Sequence, residues 1–598
     1  MKAVGLALRL AWQSGPVGWL VLVLSAMVSA GCMPAILWAG RHLVNLVAQG
    51  TSGDQVSILP TVLVICALAI VQRVLSVVVN NQQQIFSTRV YDAAEERFLG
   101  RSVTIDIPYL DDPGFHERLV RASKTSMSRP FAMTGQMVTF CGQLVALVGL
   151  VGVMSVVHPA LLGLVAGSVG VMAFAQVRVG RNVYVADLNN SRNFREMWYR
   201  RHLMSIESAI MDLQGLGAQH RMRARHIELQ RWYEASLAAV YRKGQAEALV
   251  VGAISAALFA LAYWFAARQG LAGQLTAGDL FLVLGAFTAV GGVVSALSGS
   301  VVALQSHAPY LRDYFDFLDL PQRLPVRPDP ATLPPTAVPA GESGQTPTTQ
   351  PVLALKNVTF TYPGATRPAL RGVDLEIAPG EMVALVGDNG AGKTTLIRLL
   401  VRHYDPQEGQ VLVGGVDVRD VDPNELRSRF GVLFQDFGKY TLTVRENLQL
   451  GRVEREATDA ELWAALRAAR ADFVQDLPMG LDSTVGKGYE WSQDISGGQW
   501  QRLALARLMY RDADVWVLDE PTSALDPEAE AGVFTQLREN LRGRIGIVIS
   551  HRFSTVRIAD RILVMQDGQI TEAGTHEELL KVGGRYAHLF DLQAAGYR

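Results

Sequence analysis

Segments of roughly 20 apolar residues recur through the first half of the chain, and this feature constrains the fold most. A helix needs about 20 such residues to cross the hydrocarbon layer, where backbone polar groups can bond only within the segment. We therefore predict an all-α membrane domain over residues 1–318. Its six spans are expected at residues 17–38, 58–79, 131–157, 159–177, 248–267 and 280–304.

The connections between these segments predict the orientation of the domain. Residues 80–130 and 178–247 form two long connections rich in Arg, whereas the other connections are short. Since Lys and Arg stay on the cytoplasmic side, both long connections and both chain termini are predicted to be cytoplasmic. The first span is too long for a removable signal peptide, and further spans follow it. The expectation is a multi-pass protein of the cell membrane.

One basic residue, Arg73, stands inside the second predicted span. A charge at that depth is costly unless it pairs, faces water or reaches the interface. Both a contact with a substrate and snorkelling toward the cytoplasm explain it. We hypothesise that Arg73 faces the central cavity.

Composition excludes other classes of protein. The chain has 55 basic and 56 acidic residues, so it lacks the excess of positive charge that a nucleic-acid partner requires. Its three cysteines, Cys32, Cys66 and Cys141, all lie in apolar runs. This pattern fits buried small side chains better than a disulfide framework or a metal site.

The texture of the chain changes after the membrane domain. Residues 319–351 contain nine prolines and no apolar periodicity, which predicts an extended or disordered linker. From residue 352 to 598, short β-branched runs alternate with helical stretches, as at 382–386 and 394–401. This alternation predicts an α/β domain with a largely parallel sheet.

A glycine-rich loop lies between that predicted strand and helix and matches the phosphate-binding pattern of P-loop NTPases. Its glycines let backbone N–H groups converge on a phosphate at a helix N-terminus. Lys393 adds positive charge for the β- and γ-phosphates, and Thr394 offers a hydroxyl to Mg²⁺. The predicted ATP-binding loop consists of Gly387, Asp388, Asn389, Gly390, Ala391, Gly392, Lys393, Thr394 and Thr395.

A second apolar run, residues 515–518, ends in two carboxylates, Asp519 and Glu520. If these two acids stood alone, the simplest interpretation would be a polar end of a strand at the protein surface. Next to a phosphate loop they are the pair that hydrolysis needs, with Asp519 holding Mg²⁺ and Glu520 polarising the attacking water.

Between these motifs stands a segment of small residues at a predicted helix start, which makes a second anion site. It comprises Ile495, Ser496, Gly497, Gly498 and Gln499. With this segment the chain resembles the exporter-type ATP-binding cassette family over essentially its whole length. The resemblance implies that Ser496, Gly497, Gly498 and Gln499 close on ATP held by an opposite subunit.

The resemblance assigns further residues of the ATPase domain. Tyr362 matches the aromatic residue that stacks on adenine, and Gln435 matches the glutamine that senses Mg²⁺ and contacts the coupling helices. Asp526 matches the loop that crosses the dimer, and His551 the histidine that contacts the γ-phosphate. Glu520, His551 and Gln435 are thus the predicted catalytic residues, and Thr394, Gln435 and Asp519 the predicted metal ligands.

Two departures from the family pattern stand beside the signature segment. Ile495 replaces the usual Leu, which conserves volume. Residues 484–494 match the family's coupling loop only at their start and are longer. This second departure leaves their contact with the membrane loops open.

Each long cytoplasmic connection has a break near its middle, at residues 108–115 and 211–217. The breaks can be hairpins that turn in solvent or short helices that dock on an ATPase and transmit its motion. Because an ATPase domain is predicted in the same chain, we favour docking.

The function implied by the resemblance is ATP-driven transport with ATP and Mg²⁺ as cofactors. A second half-transporter is the expected partner, with a homodimer favoured over a heterodimer because both halves of the composite site are intact in this chain. Export of a small molecule, lipid or peptide is the expected direction. Import of siderophores by the same fold, and an ATP-dependent sensor without solute flux, are the alternatives. We expect no leader-cleaving protease domain before the first span.

Overall fold

A computed structural model describes residues 2–50, 57–112, 114–115, 119, 128–157, 159–334, 353–521, 527–541 and 544–595. Contacts divide the chain into two compact units. One comprises Met1–Thr104 with Gly114–Leu320, and the other comprises Ile105–Pro113 with Pro321–Arg598. The short segment Ile105–Pro113 thus packs with the second unit, although the chain places it between helices of the first.

The first unit is built from helices, several of them much longer than a membrane is thick. The longest has 53 residues, which corresponds to about 80 Å against a hydrocarbon layer of about 30 Å. The longest helices are therefore long enough to continue well beyond the bilayer. The helices are Lys2–Ser14, Pro16–Gly50, Leu59–Val103, Ser128–Val157, Pro159–Leu203, Glu207–Gly215, Gln219–Leu271 and Ala277–Leu318.

Among the described residues, five helices are long and apolar enough to cross a membrane. They are Pro16–Gln49, Leu59–Val103, Ala132–Val157, Gln219–Leu271 and Ala277–Leu318. Each contains one predicted span. The remaining predicted span, residues 159–177, lies in the helix Pro159–Leu203, and the count of six stays a prediction.

Burial differs sharply between these helices. The most apolar 18-residue window of Ala277–Leu318 is 44% buried, whereas none of the corresponding window of Leu59–Val103 is. In the core of the unit, Phe287 packs edge-on against Phe259 at 5.4 Å between ring centroids. Arg73 is exposed on Leu59–Val103, and its role in the cavity stays a hypothesis.

Helices Pro16–Gly50 and Ala277–Leu318 are in direct backbone contact near Gly278. A Cβ at this position would lie 2.2 Å from the carbonyl oxygen of Arg41. The Gly278 N–H donates to Oδ1 of Asn45 at 2.8 Å. The guanidinium of Arg41 donates to Asp279, which is 4% exposed, at 2.6 Å. Asp279 also accepts the backbone N–H of Thr276 at 2.8 Å and so caps its own helix.

The helix Lys2–Ser14 precedes the first span and was not predicted. It buries Ala7, Leu10 and Ala11, which lie on one face at helical spacing. With 13 residues, this helix is shorter than the roughly 20 residues that cross a membrane, so its sequence predicts no span.

The described residues of the second unit form two sheets. Their strands are β1 Leu353–Phe360, β2 Leu370–Ile377, β3 Met382–Gly387, β4 Glu408–Val413, β5 Val416–Asp417, β6 Phe430–Leu433, β7 Val515–Asp519, β8 Ile545–Ile549, β9 Arg561–Gln566 and β10 Gln569–Gly574. The larger sheet has the strand order β10-β9-β3-β8-β7-β6 and is parallel except for the β9–β10 pair. This arrangement confirms the predicted α/β fold. The smaller sheet, β2-β1-β4-β5, is antiparallel and was not predicted.

Helices cover both faces of the larger sheet, whose strands β3, β7 and β8 are fully buried. One apolar cluster joins the sheets to the helix after β3, and another packs the helix Gly497–Arg511 against β7. The α-helices of this unit are Ile107–Leu110, Lys393–Leu400, Pro423–Ser428, Val444–Gln449, Asp459–Ala468, Gly497–Arg511, Pro527–Asn540, Phe553–Val556, His576–Val582 and Arg585–Ala595.

The described part of the proline-rich segment is held on this unit. Arg402 donates to the carbonyl oxygen of Pro325 at 2.9 Å. The N–H of Leu333 donates to Glu425 at 2.9 Å, and the Leu333 side chain is 3% exposed in the core. Residues 335–352 lie outside the described residues, so the predicted boundaries of the linker remain a prediction.

The two predicted breaks have different surroundings. Ile107–Leu110 is a single helical turn in which Pro108 and Tyr109 are buried within the second unit. Glu207–Gly215 is a nine-residue helix of the first unit with no buried residue.

Candidate active site

The phosphate loop joins β3 to the helix Lys393–Leu400, as predicted. Gly392 has φ +105°, and a Cβ there would lie 2.7 Å from the carbonyl oxygen of Ala369. At Gly387, with φ +154°, a Cβ would lie 2.2 Å from the carbonyl oxygen of Met565. Only glycine meets both the backbone and the steric demand at these positions.

Lys393 is buried beneath this loop. Its Nζ donates to the carbonyl oxygens of Gly387 at 2.6 Å and Asp388 at 3.0 Å, and the residue is 7% exposed. Burial lowers the pKa of Lys393, while the carboxylates of Asp519, Asp388 and Glu520 act in the opposite direction. A buried ammonium so close to the loop is suited to meet an entering phosphate.

Asp519 ends β7 directly opposite the first threonine of the helix. Oγ1 of Thr394 lies 3.5 Å from Oδ2 of Asp519. Burial, with a further contribution from Glu520, raises the pKa of Asp519 to about 6, although Lys393 and the Thr394 hydroxyl oppose the shift. Burial therefore disfavours the charged form of the Asp519 carboxylate, and the nearby positive charge does not fully offset this effect.

A divalent cation bound beside Asp519 would stabilise its charged form. Thr394, Asp519 and Gln435 offer hydroxyl, carboxylate and amide oxygens, the donors that Mg²⁺ prefers. Among the described residues, no group of three or more His, Cys, Asp or Glu could hold a metal. Mg²⁺ sites commonly use one or two carboxylates and complete their shell with phosphate and water.

Glu520 lies at the centre of a small polar group. Gln435 donates to its Oε2 at 3.2 Å, and Nε2 of His551 lies 3.3 Å from its Oε1. The backbone of Glu520 has φ +49°, a left-handed conformation that is uncommon outside glycine. Hydrogen bonds to the Ile549 carbonyl at 2.9 Å and from Gln501 at 3.1 Å hold it there. The three predicted catalytic residues thus lie together.

Tyr362 belongs to an aromatic cluster beside the phosphate loop. Its ring meets Phe360 at 5.0 Å and Tyr404 at 5.3 Å between centroids, both edge-on. Its hydroxyl lies 3.1 Å from Oγ1 of Thr395. Tyr362 thus lies next to the loop, and its contact with adenine stays a prediction.

The signature residues form their own local structure. Ser496 caps the helix Gly497–Arg511 by accepting the N–H of Gln499 at 3.3 Å, and the Gln499 side chain accepts the N–H of Ser496 at 2.8 Å. Their hydrogen bonds are to each other and not to the phosphate loop. Asp526 lies outside the described residues, so its predicted role has no structural account.

The departures near the signature are also visible. Ile495 is 8% exposed and packs into the core beside that helix. In the longer loop, the exposed rings of Tyr489 and Trp491 stack at 5.1 Å with an interplanar angle of 10°.

Two further residues lie at this site without a predicted role. Gln501 fixes the backbone of Glu520, and Arg585 near the C-terminus donates to Asp388 of the phosphate loop at 2.7 Å. Arg585 is 197 positions from Asp388, so no local pattern announces the contact.

The raised pKa of Asp519 predicts that the free energy of unfolding decreases as the pH rises past the ordinary pKa of an aspartate. Between about pH 4 and pH 6 the unfolded chain loses this proton while the folded chain keeps it. The unfolding free energy of the Mg²⁺-free protein should therefore fall as pH rises through this window, relative to Asp519→Asn, which stays neutral. Thermal unfolding of both proteins from pH 4 to 8 measures the difference. A constant difference across the window would contradict the raised pKa.

Comparison with known proteins places this site in a family. The model for the ABC transporter family matches residues 370–523. The subtilin transport ATP-binding protein of Bacillus subtilis is 25% identical over 561 residues, which cover 93% of this chain and 88% of the relative. An ATP-dependent lipid A-core flippase of Methylobacillus flagellatus is 39% identical over 346 residues, 58% of this chain and 55% of the flippase.

The likeness extends to both units in a solved structure. A bacterial Atm1-family ABC exporter with ATP bound has a TM-score of 0.80 and 25% identity, and the match covers 97% of this chain and 98% of the other. The family match, the relatives and this structure agree with the helical region followed by an α/β ATPase. The chain therefore carries an ABC transporter domain at residues 370–523 and is similar over nearly its whole length to an Atm1-family ABC exporter.

Proposed function

We propose that this chain hydrolyses ATP to drive export across the cell membrane as one half of a dimer. The observation that carries the proposal is the convergence of Gln435 and His551 on Glu520, beside Asp519 and the phosphate loop. The same chain supplies five membrane-length helices among its described residues. An ATPase centre fused to such helices is the composition of an exporter half.

In this proposal the residues of the site share the work of hydrolysis. Lys393 and the loop N–H groups bind the β- and γ-phosphates, and Glu520 accepts a proton from the attacking water. His551 contacts the γ-phosphate and orients Glu520. Thr394, Asp519 and Gln435 would hold Mg²⁺, which supplies charge neutralisation for the phosphates when bound.

The dimer is supported by the two sets of residues that one closed site would need, the phosphate loop with Glu520 and the signature. Ser496 and Gln499 bond to each other at the start of their helix, and in the proposed dimer a second chain brings its signature onto ATP. Because each closed site takes residues from both chains, binding of two ATP molecules favours the closed dimer. A homodimer is sufficient, since this chain carries both sets of residues. Both termini and the ATPase are then cytoplasmic.

The cargo is proposed only as a class. The relatives are named for two different cargoes, subtilin and lipid A-core, so a small molecule, lipid or peptide is the class we retain. A regulator without flux would also hydrolyse ATP, and flux is what separates the two functions.

Transport in inverted membrane vesicles tests the proposal. ATP should drive uptake of at least one of three probes, a fluorescent phospholipid, an amphipathic peptide or a lipophilic cationic dye. Vesicles with the Glu520→Gln variant are the matched control and should show no ATP-dependent uptake. Hydrolysis that is normal while none of the probes moves would favour a regulator.

A further inference from the structure

Asp111 lies where a segment of the long connection after the second span meets the aromatic cluster beside the phosphate loop. It follows the single helical turn Ile107–Leu110 and packs within the second unit. Its Oδ2 accepts the hydroxyl of Tyr404 and, at 2.9 Å, the guanidinium of Arg398. One carboxylate oxygen thus holds two residues that both contact Tyr362.

Both residues reach the ring of Tyr362. Tyr404 meets it edge-on at 5.3 Å, and the Arg398 guanidinium carbon lies 5.9 Å from its centroid. Tyr404 is itself 3% exposed and packs on Phe360, the other neighbour of Tyr362. The ring that would stack on a base therefore contacts two groups bound by Asp111, in addition to Phe360 and the Thr395 hydroxyl.

The bond between Asp111 and Tyr404 is more than a surface ion pair. Burial, together with the hydrogen bond to Asp111, raises the pKa of the Tyr404 hydroxyl, so this group stays a donor. Tyr404 as a whole residue is 3% exposed, so loss of the acceptor at its part-buried hydroxyl costs more than the loss of a fully exposed pair.

Asp111 is held in place from its other side. Arg323 donates to the carbonyl oxygen of Pro108 at 2.9 Å, and its guanidinium carbon lies 4.0 Å from the centroid of the Tyr109 ring. Oδ2 of Asp106 accepts the Arg323 N–H at 2.6 Å. The segment is thus fixed on the second unit independently of the contacts that Asp111 makes.

We propose that Asp111 is a positioning residue for the nucleotide base, acting on Tyr362 through Tyr404 and Arg398. Base stacking is thereby joined to a segment that leads directly into the membrane helix Leu59–Val103. Binding of the base, and not only of the phosphates, would then affect the segment that holds Asp111. The proposal rests on the proposed binding of ATP at this site and on the predicted contact of Tyr362 with its base, but not on export.

The test separates the base from the phosphates. Dissociation constants for ATP and for inorganic tripolyphosphate, both with Mg²⁺, are measured on the full chain in lipid nanodiscs. Asp111→Ala should weaken ATP about fivefold and leave tripolyphosphate unchanged. Asp111→Asn, which keeps an acceptor for Tyr404, should restore part of the ATP affinity. Asp112→Ala removes a neighbouring carboxylate that pairs with Arg323 at 3.5 Å, and it should change neither constant.

A double-mutant cycle tests the route. In a Tyr362→Ala background the Asp111→Ala change should have no further effect on ATP, because the ring it positions is gone. Tyr404→Phe, which removes only the hydroxyl, should reproduce most of the effect of Asp111→Ala. Equal weakening of ATP and tripolyphosphate, or full additivity with Tyr362→Ala, would overturn the proposal in favour of a purely structural role.

Discussion

Glu520→Gln is expected to lower ATP hydrolysis by about a thousandfold while nucleotide binding persists. The amide keeps the shape of the side chain and its contacts with Gln435 and His551, but it cannot accept a proton from water. The bound nucleotide should remain ATP, and the two ATPase domains should stay closed on it. Steady-state hydrolysis and the ATP content of the isolated protein measure the two effects.

The matched control is Glu539→Gln, the same chemical change on the exposed face of the helix Pro527–Asn540. Its hydrolysis should equal that of the unchanged protein. Turnover by Glu520→Gln within a few-fold of normal would remove Glu520 from its proposed role as catalytic base.

Mixing two inactive chains is expected to restore hydrolysis. A Lys393→Ala chain cannot bind phosphate productively, and a Ser496→Ala chain cannot complete the site of its partner. In a mixed dimer, one site then carries both defects and the other carries none. Each variant alone should be inactive, and the mixture should recover up to about a quarter of normal activity if half of the dimers are mixed and one site turns over.

The result also decides between the two kinds of dimer. Recovery that depends on the proportion of the two chains supports a homodimer. A mixture without activity, combined with activity once a different half-transporter is added to the unchanged chain, would instead support an obligate heterodimer. Light scattering on the purified chain provides an independent measure of its oligomeric state.

Local motifs made most of the ATP site predictable. The phosphate loop lies within nine consecutive residues, and the backbone angles of Gly387 and Gly392 explain why glycine must stand there. Asp519 and Glu520 follow a strand whose apolar run identifies it. In each case the chemistry depends on neighbours in the sequence, so the pattern carries the information.

Contacts between distant positions could not be predicted in this way. Asp111 and Tyr404 are 293 positions apart, and neither residue stands in a motif that names the other. The antiparallel sheet was missed because β1 pairs with β4 from a distant part of the chain, and no local pattern shows that contact. The Pro-rich composition of residues 319–351 predicts an extended or disordered chain, and it does not encode the partners of Leu333.

The close approach at Gly278 limits how the membrane helices can rearrange. Sliding by a single helical turn, about 5.4 Å, would break the Arg41–Asp279 pair and the Asn45 hydrogen bond at once. Backbones in contact can still tilt about their crossing point, because no side chain at Gly278 stands between them. We therefore expect the helices Pro16–Gly50 and Ala277–Leu318 to change their crossing angle more easily than their register.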